Sequence, residues 1–192
     1  ALHGIRNIEL LTGDDVTAGD EPESRRVFDL DSIQALAIAR GIREGHYLSG
    51  RSISPAPELF LGAVENPAAH PLAYRAERLS KKMSAGAQFF QLQICYHDER
   101  LKEFCERVHA AHPEIPILPT IVLVKGARPL KFMHDNVAGI DIPASIISQV
   151  EKADDQKEAA YELAQAQAEF ALSLPGVRGL HMTDRKSTRL NS

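Results

Sequence analysis

The residues best suited to chemistry follow the first apolar run of the chain, at Thr12, Gly13, Asp14 and Asp15. The run before them favours a buried strand, and the glycine favours a turn at its end. Ligands of α/β proteins bind at the carboxyl ends of parallel strands, so acids in this place suit chemistry on a small molecule. The plainer interpretation is an acid that caps a turn or a helix. Asp14 and Asp15 are equal candidates on this basis.

Polar residues also follow the next two apolar runs. ENPAAHP, after the second run, contains His70, whose plainer role is that of a solvated loop histidine. QLQ ends the third run, and Gln91 and Gln93 share a strand face because strand side chains alternate with a period of two, so either can reach a ligand. The helical segment between these runs carries three cations, for which a charged, solvated helix face is the alternative: Arg78, Lys81 and Lys82.

The elements that must position these residues alternate along the chain. Apolar runs predict strands at 8–11, 59–64, 89–95, 115–124 and 177–182, and apolar spacing predicts helices at 31–45, 72–85, 98–111, 128–134, 144–152 and 153–173. Asp31 with Gln34 predicts a capping box, and Asp98 is expected to cap the third helix. Strands that are apolar throughout indicate a parallel sheet covered on both faces. Because a closed (β/α)8 barrel needs about 250 residues, five units predict an open α/β sheet or the later part of a barrel.

The composition narrows the function class. The 192 residues are 44% hydrophobic and 25% charged, with a net charge of −4 and scattered basic residues, which gives no electrostatic case for binding nucleic acid or an anionic membrane. Two cysteines make no disulfide framework, and no apolar run approaches the roughly 20 residues of a membrane span, so we expect a cytoplasmic protein.

The sequence gives little support for a metal site, a nucleotide-binding motif or a hydrolase motif. Cys95, His97, Cys105 and His109 occur close together, but they lack the paired spacing of zinc ligands, and no metal is expected. The sequence contains no dinucleotide-binding G-x-G-x-x-G, no P-loop and no nucleophile elbow.

Five segments together resemble the methylenetetrahydrofolate reductase family: NIELLTGDD, AVENPAAHP, LSKKMSAGAQFFQLQ, GIDIP and GVRGLH, within residues 4–183. The resemblance implies a (β/α)8 barrel of which this chain covers strands four to eight, with the first three βα units missing. The catalytic glutamate that the family carries on its first strand then has no counterpart here. DRKSTRLNS at 184–192 resembles a translated sequencing adapter, so we expect a non-native tail there and natural sequence up to residue 183.

The resemblance also implies roles for individual residues. The family uses FAD and NAD(P)H to reduce 5,10-methylenetetrahydrofolate to 5-methyltetrahydrofolate. Asp14 then becomes the flavin-side catalytic carboxylate, which stabilises a cationic folate, and Asp15 lies in the loop. Gln93 is expected to bind the pterin, since an amide both donates and accepts hydrogen bonds. Phe132 is expected to stack on the folate or the nicotinamide, with Met133 as the alternative. The implied FAD contacts are Thr12, where the family often has arginine, with Gly13, Asp14, His70, Arg78, Lys81 and Lys82.

Two further expectations follow from the resemblance. The full-length protein is expected to be a homo-oligomer that binds folate and nicotinamide substrates, whereas the isolated chain, with two open sheet edges, is expected to be unstable, flavin-free and inactive. The alternative function is that of a non-catalytic folate-binding relative or subunit, which works with a partner oxidoreductase or a corrinoid protein.

Overall fold

The computed structural model describes residues 3–184, so residues 185–192 of the expected tail lie outside the described part. The fold is α/β, with parallel strands alternating with helices. The strands are β1 (Asn7–Leu10), β2 (Phe60–Glu65), β3 (Phe89–Leu92), β4 (Ile117–Leu123) and β5 (His181–Asp184). The helices are α1 (Ser32–Arg43), α2 (Leu72–Ala85), α3 (Asp98–Ala111), α4 (Ala127–Asn136), α5 (Ala144–Glu151) and α6 (Gln156–Ser173), with a 3-10 turn at Val16–Ala18.

The first of two compact units contains the described residues up to Glu65 together with Ala76–Phe90. Its strands β1 and β2 are parallel, in a register that runs from Asn7 opposite Phe60 to Leu10 opposite Ala63. The predicted capping box starts α1, where the Asp31 side chain accepts from the Gln34 amide and the Gln34 side chain accepts from the Asp31 amide. Gly62 is required on β2, because a Cβ there would lie 2.2 Å from the Phe89 ring.

The second unit contains Asn66–Arg75 and the described residues from Gln91 onwards. Its strands β4 and β5 are parallel, with Thr120 opposite His181 and Leu123 opposite Asp184. The predicted apolar face of α3 is buried, as expected from its helical spacing, and consists of Leu101, Phe104, Cys105 and Val108. A further core cluster between β4 and helices α4 to α6 includes Val122, Leu130, Ile142, Val150 and Ala160.

Several predicted strand boundaries were wrong for local reasons. β1 ends at Leu10, and Leu11, expected in the buried strand, is 57% exposed. β3 ends at Leu92 because the Gln93 side chain accepts the hydrogen bond of the Ile94 amide (3.0 Å). β5 begins at His181, and ahead of it Val177 forms an isolated parallel bridge with Ile117. β4 spans only Ile117–Leu123 of the predicted 115–124.

Two helix starts also differ from expectation. His97, not Asp98, occupies the cap of α3 and makes no side-chain capping bond, while Asp98 is the first helical residue, where a carboxylate interacts favourably with the helix dipole. α6 begins at Gln156, not 153, because the Asp155 side chain accepts from the amides of Lys157 and Glu158. No helix within residues 3–184 combines the length and apolar character needed to cross a membrane.

Candidate functional site

The loop after β1 holds its two adjacent acids in different surroundings. Asp15 caps the 3-10 turn and accepts from the amide and the hydroxyl of Thr17, at 3.0 and 2.7 Å. Arg26 binds the same carboxylate through two nitrogens, each at 2.7 Å, and its guanidinium holds the pKa of Asp15 well below the ordinary value. Asp14 is exposed, and none of residues 3–184 forms a hydrogen bond or ion pair with its side chain.

Thr12 and Gly13 precede Asp14 in the same exposed loop. Gly13 has φ +74°, in the left-handed region that favours glycine, and open space surrounds the position of its absent Cβ. The turn therefore presents Asp14 to solvent on a backbone that a larger residue would strain. The predicted cofactor contacts of Thr12, Gly13 and Asp14 stay predictions.

A buried ion cluster lies where β2 ends. Glu65 shares a strand face with Leu61 and Ala63, both fully buried, and is itself 1% exposed. Lys82 of α2 is 3% exposed, and its ammonium lies 3.1 Å from Glu65 Oε2 while it also donates to the Val64 carbonyl. Arg78, one helical turn earlier, places Nη1 3.5 Å from Glu65 Oε1.

The sequence predicted the two cations of this cluster but missed Glu65. An acid that ends the apolar run LFLGAVE was the available signal, because a period of two places it on the face of Leu61 and Ala63. Lys81, the neighbouring predicted cation, is half-exposed and pairs with Glu77 at 2.9 Å within α2. Direct contact of Arg78, Lys81 and Lys82 with a cofactor stays a prediction.

In the second unit, hydrogen bonds anchor the segment that carries His70. Asn66 accepts from the Ala68 amide (2.9 Å) and donates to the Gly139 carbonyl (2.8 Å), while Arg75 donates to the carbonyls of Ala69 and His70. The His70 side chain itself is exposed. The segment is therefore held through its backbone.

The other predicted residues of the second unit lie on separate segments. Gln93 lies just beyond β3 and is half-buried. Its Oε1 accepts from the Ile94 amide, and its side-chain nitrogen is a hydrogen-bond donor, so the predicted contact of Gln93 with the pterin stays a prediction. Gln91 lies within β3 and is also half-buried.

A second polar cluster, which the sequence did not predict, surrounds Asp141. His97 Nε2 lies 2.8 Å and Arg100 Nη1 3.2 Å from Asp141 Oδ2. Partial burial raises the pKa of Asp141, but the bonds and charges of His97 and Arg100 outweigh this effect and lower it. His134 Nδ1 is 3.9 Å from Asp141 and accepts from the Ile142 amide (3.2 Å), so it cannot also donate to the carboxylate.

The cysteines near this cluster are not reactive thiolates. Burial raises the pKa of Cys95 to about 11 and that of Cys105 to about 12, so both thiols are protonated at neutral pH. Within residues 3–184 no three His, Cys, Asp or Glu side chains are grouped so that they could hold a metal ion.

A pocket of about 280 Å³ lies at the carboxyl ends of β4 and β5. Phe132 lies in its wall and is 42% exposed, whereas its neighbour Met133 is buried in the core cluster. Two cations, an acid and apolar side chains complete the lining: Lys125, Arg128, Asp184, Leu123, Val124 and Pro129. The pocket thus combines an aromatic face with positive charge.

Comparisons with known proteins agree with the segment resemblance. A sequence model described as methylenetetrahydrofolate reductase matches residues 1–190. A Caenorhabditis elegans protein named probable methylenetetrahydrofolate reductase (NADPH) is 30% identical over 160 residues, which are 79% of this chain and 21% of that protein. The chain thus spans about a fifth of that relative's length.

A solved structure from Clostridium thermocellum shares the fold, with a TM-score of 0.60 and 20% identity over 83% of this chain and 54% of that one. That structure is of an uncharacterized protein that binds two copies of 5-methyl-5,6,7,8-tetrahydrofolic acid. The family match covers both ion clusters, the loop after β1 and the aromatic pocket, and the chain belongs to the methylenetetrahydrofolate reductase family.

Proposed function

We propose that the full-length protein reduces 5,10-methylenetetrahydrofolate to 5-methyltetrahydrofolate with electrons from NAD(P)H, and that this chain forms the later part of its barrel. Family membership supports the reaction class. The observation that carries the proposal is the pocket beside Phe132, whose lining also includes Lys125 and Arg128. Folate joins an aromatic aminobenzoate ring to an anionic glutamate tail, so one ring and one carboxylate suit this lining.

The size of the pocket limits what it can bind. A volume of about 280 Å³ lies at the lower end of small-molecule sites, which suits one part of a folate rather than the whole molecule. We assign it the aminobenzoyl-glutamate part. Phe132 would stack on the ring, and Arg128 would bind a carboxylate through its planar fork.

The residues of the first unit fit FAD by their chemistry. Arg78 and Lys81 are partly exposed cations on α2, which suits phosphate, and Asp14 is an exposed carboxylate beside a strand end. Bound FAD would supply hydride transfer between nicotinamide and folate. Asp14 would stabilise positive charge on the folate by electrostatic attraction. For Gln93, which belongs to the second unit, we propose that the side-chain amide orients the pterin.

The visible spectrum of the purified full-length protein tests this proposal. We expect a yellow flavin band that NAD(P)H bleaches and methylenetetrahydrofolate restores, with ping-pong kinetics because both substrates use one flavin in turn. A colourless protein, or kinetics that require a ternary complex, would contradict it.

A second candidate function is folate binding without reduction, in concert with a partner oxidoreductase or corrinoid protein. The clostridial neighbour favours it, since that protein binds 5-methyltetrahydrofolate. Calorimetric titration with 5-methyltetrahydrofolate separates the two candidates, because a flavin-free protein that binds this compound fits the second alone.

A further inference from the structure

We infer that Asp141 is a positioning residue, which acts through Arg100 to fix residues 66–70 and with them the predicted cofactor contact His70. Asp141 lies between α4 and α5, and the proposed reaction assigns no role to its cluster with His97 and Arg100. The cluster and residues 66–70 all belong to the second unit. The inference deepens the proposed function and rests on it only for the identity of the ligand, FAD.

The backbone on both sides of Asp141 is anchored. Ile140 and Ile142 are buried in the core cluster that packs against α4 to α6. The Ile142 amide also donates to Nδ1 of His134 (3.2 Å). The Asp141 side chain is half-exposed and contacts the start of α3 instead of the core. Its carboxylate therefore stands on a fixed stretch of chain.

Arg100 connects this carboxylate to the segment after β2. Its Nη1 donates to Asp141 Oδ2 (3.2 Å) and to the Ala68 carbonyl (3.3 Å). This nitrogen carries two hydrogens, so it can serve both acceptors. They are the only hydrogen-bond partners of the Arg100 side chain among residues 3–184. Without the charge of Asp141, the guanidinium loses the partner that orients it toward Ala68.

His97 orients the carboxylate from a second side. Its Nε2 lies 2.8 Å from Asp141 Oδ2, the same oxygen that Arg100 contacts, and its backbone forms the cap of α3. Two donors from the first turn of one helix thus hold one carboxylate oxygen. The position of Asp141 is coupled to the start of α3, and Arg100 extends that coupling to residues 66–70.

The same segment is held at two further points. Asn66 donates from its side chain to the Gly139 carbonyl (2.8 Å), two residues before Asp141. Arg75 donates to the His70 carbonyl. These bonds hold the backbone, whereas the His70 side chain is exposed and forms no hydrogen bond with residues 3–184. The contacts therefore set the place of His70 and leave its ring nitrogens available to a ligand.

The exposure of the cluster separates positioning from folding. Asp141 is half-exposed, and the side chains of His97 and Arg100 are only partly buried. Ion pairs that solvent reaches are screened and contribute little to the stability of a fold. The loss of Asp141 is therefore expected to change the mobility of residues 66–70 and to leave the urea midpoint of the protein nearly unchanged.

Amide hydrogen exchange of the full-length protein, followed by mass spectrometry, tests the inference. We expect Asp141→Asn to speed exchange in a peptide that covers residues 66–71 about tenfold, because a charge-assisted contact is lost. Glu103→Gln on α3 is the matched control, since it removes a half-exposed acid that pairs with Arg107 within one helix. Unchanged exchange in Asp141→Asn, an equal increase in the control, or a large fall of the urea midpoint would overturn the inference.

The effect on the cofactor is measured by the fluorescence of FAD released as the full-length protein is diluted. We expect Asp141→Asn to weaken FAD binding about tenfold, with kcat at saturating FAD within about twofold, because the carboxylate positions a contact and touches no reacting atom. Arg100→Gln should weaken binding equally. The double variant Asp141→Asn/Arg100→Gln should bind no more weakly than either single variant, since both changes act through the one contact with Ala68.

The outcomes distinguish this inference from the proposed function. Unchanged FAD affinity in Asp141→Asn, or effects that multiply in the double variant, would overturn the inference and leave the reductase proposal standing. A full-length protein without flavin would overturn the reductase proposal. The exchange comparison would then still decide whether Asp141 fixes residues 66–70.

Discussion

Glu65→Gln should destabilise the protein strongly, because it leaves the Lys82 ammonium buried beside an uncharged partner. The two side chains are 0% and 4% exposed, so little solvent screening reduces the effect, whereas Arg78 at 33% can turn toward water. Removing one partner of a buried pair costs about 3–5 kcal/mol. Urea denaturation followed by circular dichroism measures the loss at pH 7.

A double variant makes the measurement specific to the ion pair. Glu65→Gln/Lys82→Met replaces both charges by uncharged groups of similar size, and should recover the stability to within about 1 kcal/mol of the starting protein. A single variant that loses less than about 1 kcal/mol, or a double variant as unstable as the single one, would refute the reasoning.

Three further outcomes are expected. Asp31→Ala should cost about 1 kcal/mol in urea denaturation by removing the capping box of α1, and an unchanged midpoint would contradict that role. Arg26→Gln should raise the pKa of Asp15 toward its ordinary value of 3.8, which a carboxyl NMR titration measures. In the original protein, the Asp15–Arg26 pair stabilises the fold above pH 3.8, and this stabilisation is lost as the pH falls through the lowered pKa of Asp15. Phe132→Ala should weaken binding of 5-methyltetrahydrofolate about tenfold without loss of stability. Met133→Ala should instead cost about 2–5 kcal/mol of stability, because Met133 is buried in the core cluster. Equal effects of the two variants on binding would contradict a ligand contact of Phe132 in this pocket.

The helices were the most predictable part of the fold, because their signals are local. The capping box at Asp31 fixes the start of α1, and α2 has the predicted bounds Leu72–Ala85. The strand ends were less predictable, because they depend on local hydrogen bonds to the backbone that an apolar run does not reveal. The Gln93 side chain ends β3 early, and Val177 forms an isolated bridge with Ile117 before β5 begins at His181.

The polar clusters were less predictable because their members are distant in sequence. Glu65 lies 17 residues before Lys82, and His97 lies 44 residues before Asp141. The types and periods of the residues identify each partner as polar, but they do not give the pairing. The tertiary fold determines which polar residues pair, so Lys82 was predicted as a cofactor contact while its buried partner Glu65 was missed.

The loop after β1 shows how pairing can indicate which acid is available for chemistry. NIELLTGDD offers two adjacent carboxylates, which the local pattern leaves equal and of which the family resemblance favours Asp14. Arg26 and Thr17 donate four hydrogen bonds to Asp15, so the carboxylate of that residue stabilises the loop. Asp14 stands beside it, exposed and with no partner among residues 3–184, on a glycine turn. A carboxylate that forms no ion pair with residues 3–184 can stabilise a positive charge on a ligand. This supports the proposal that Asp14 is the acid that faces the ligand.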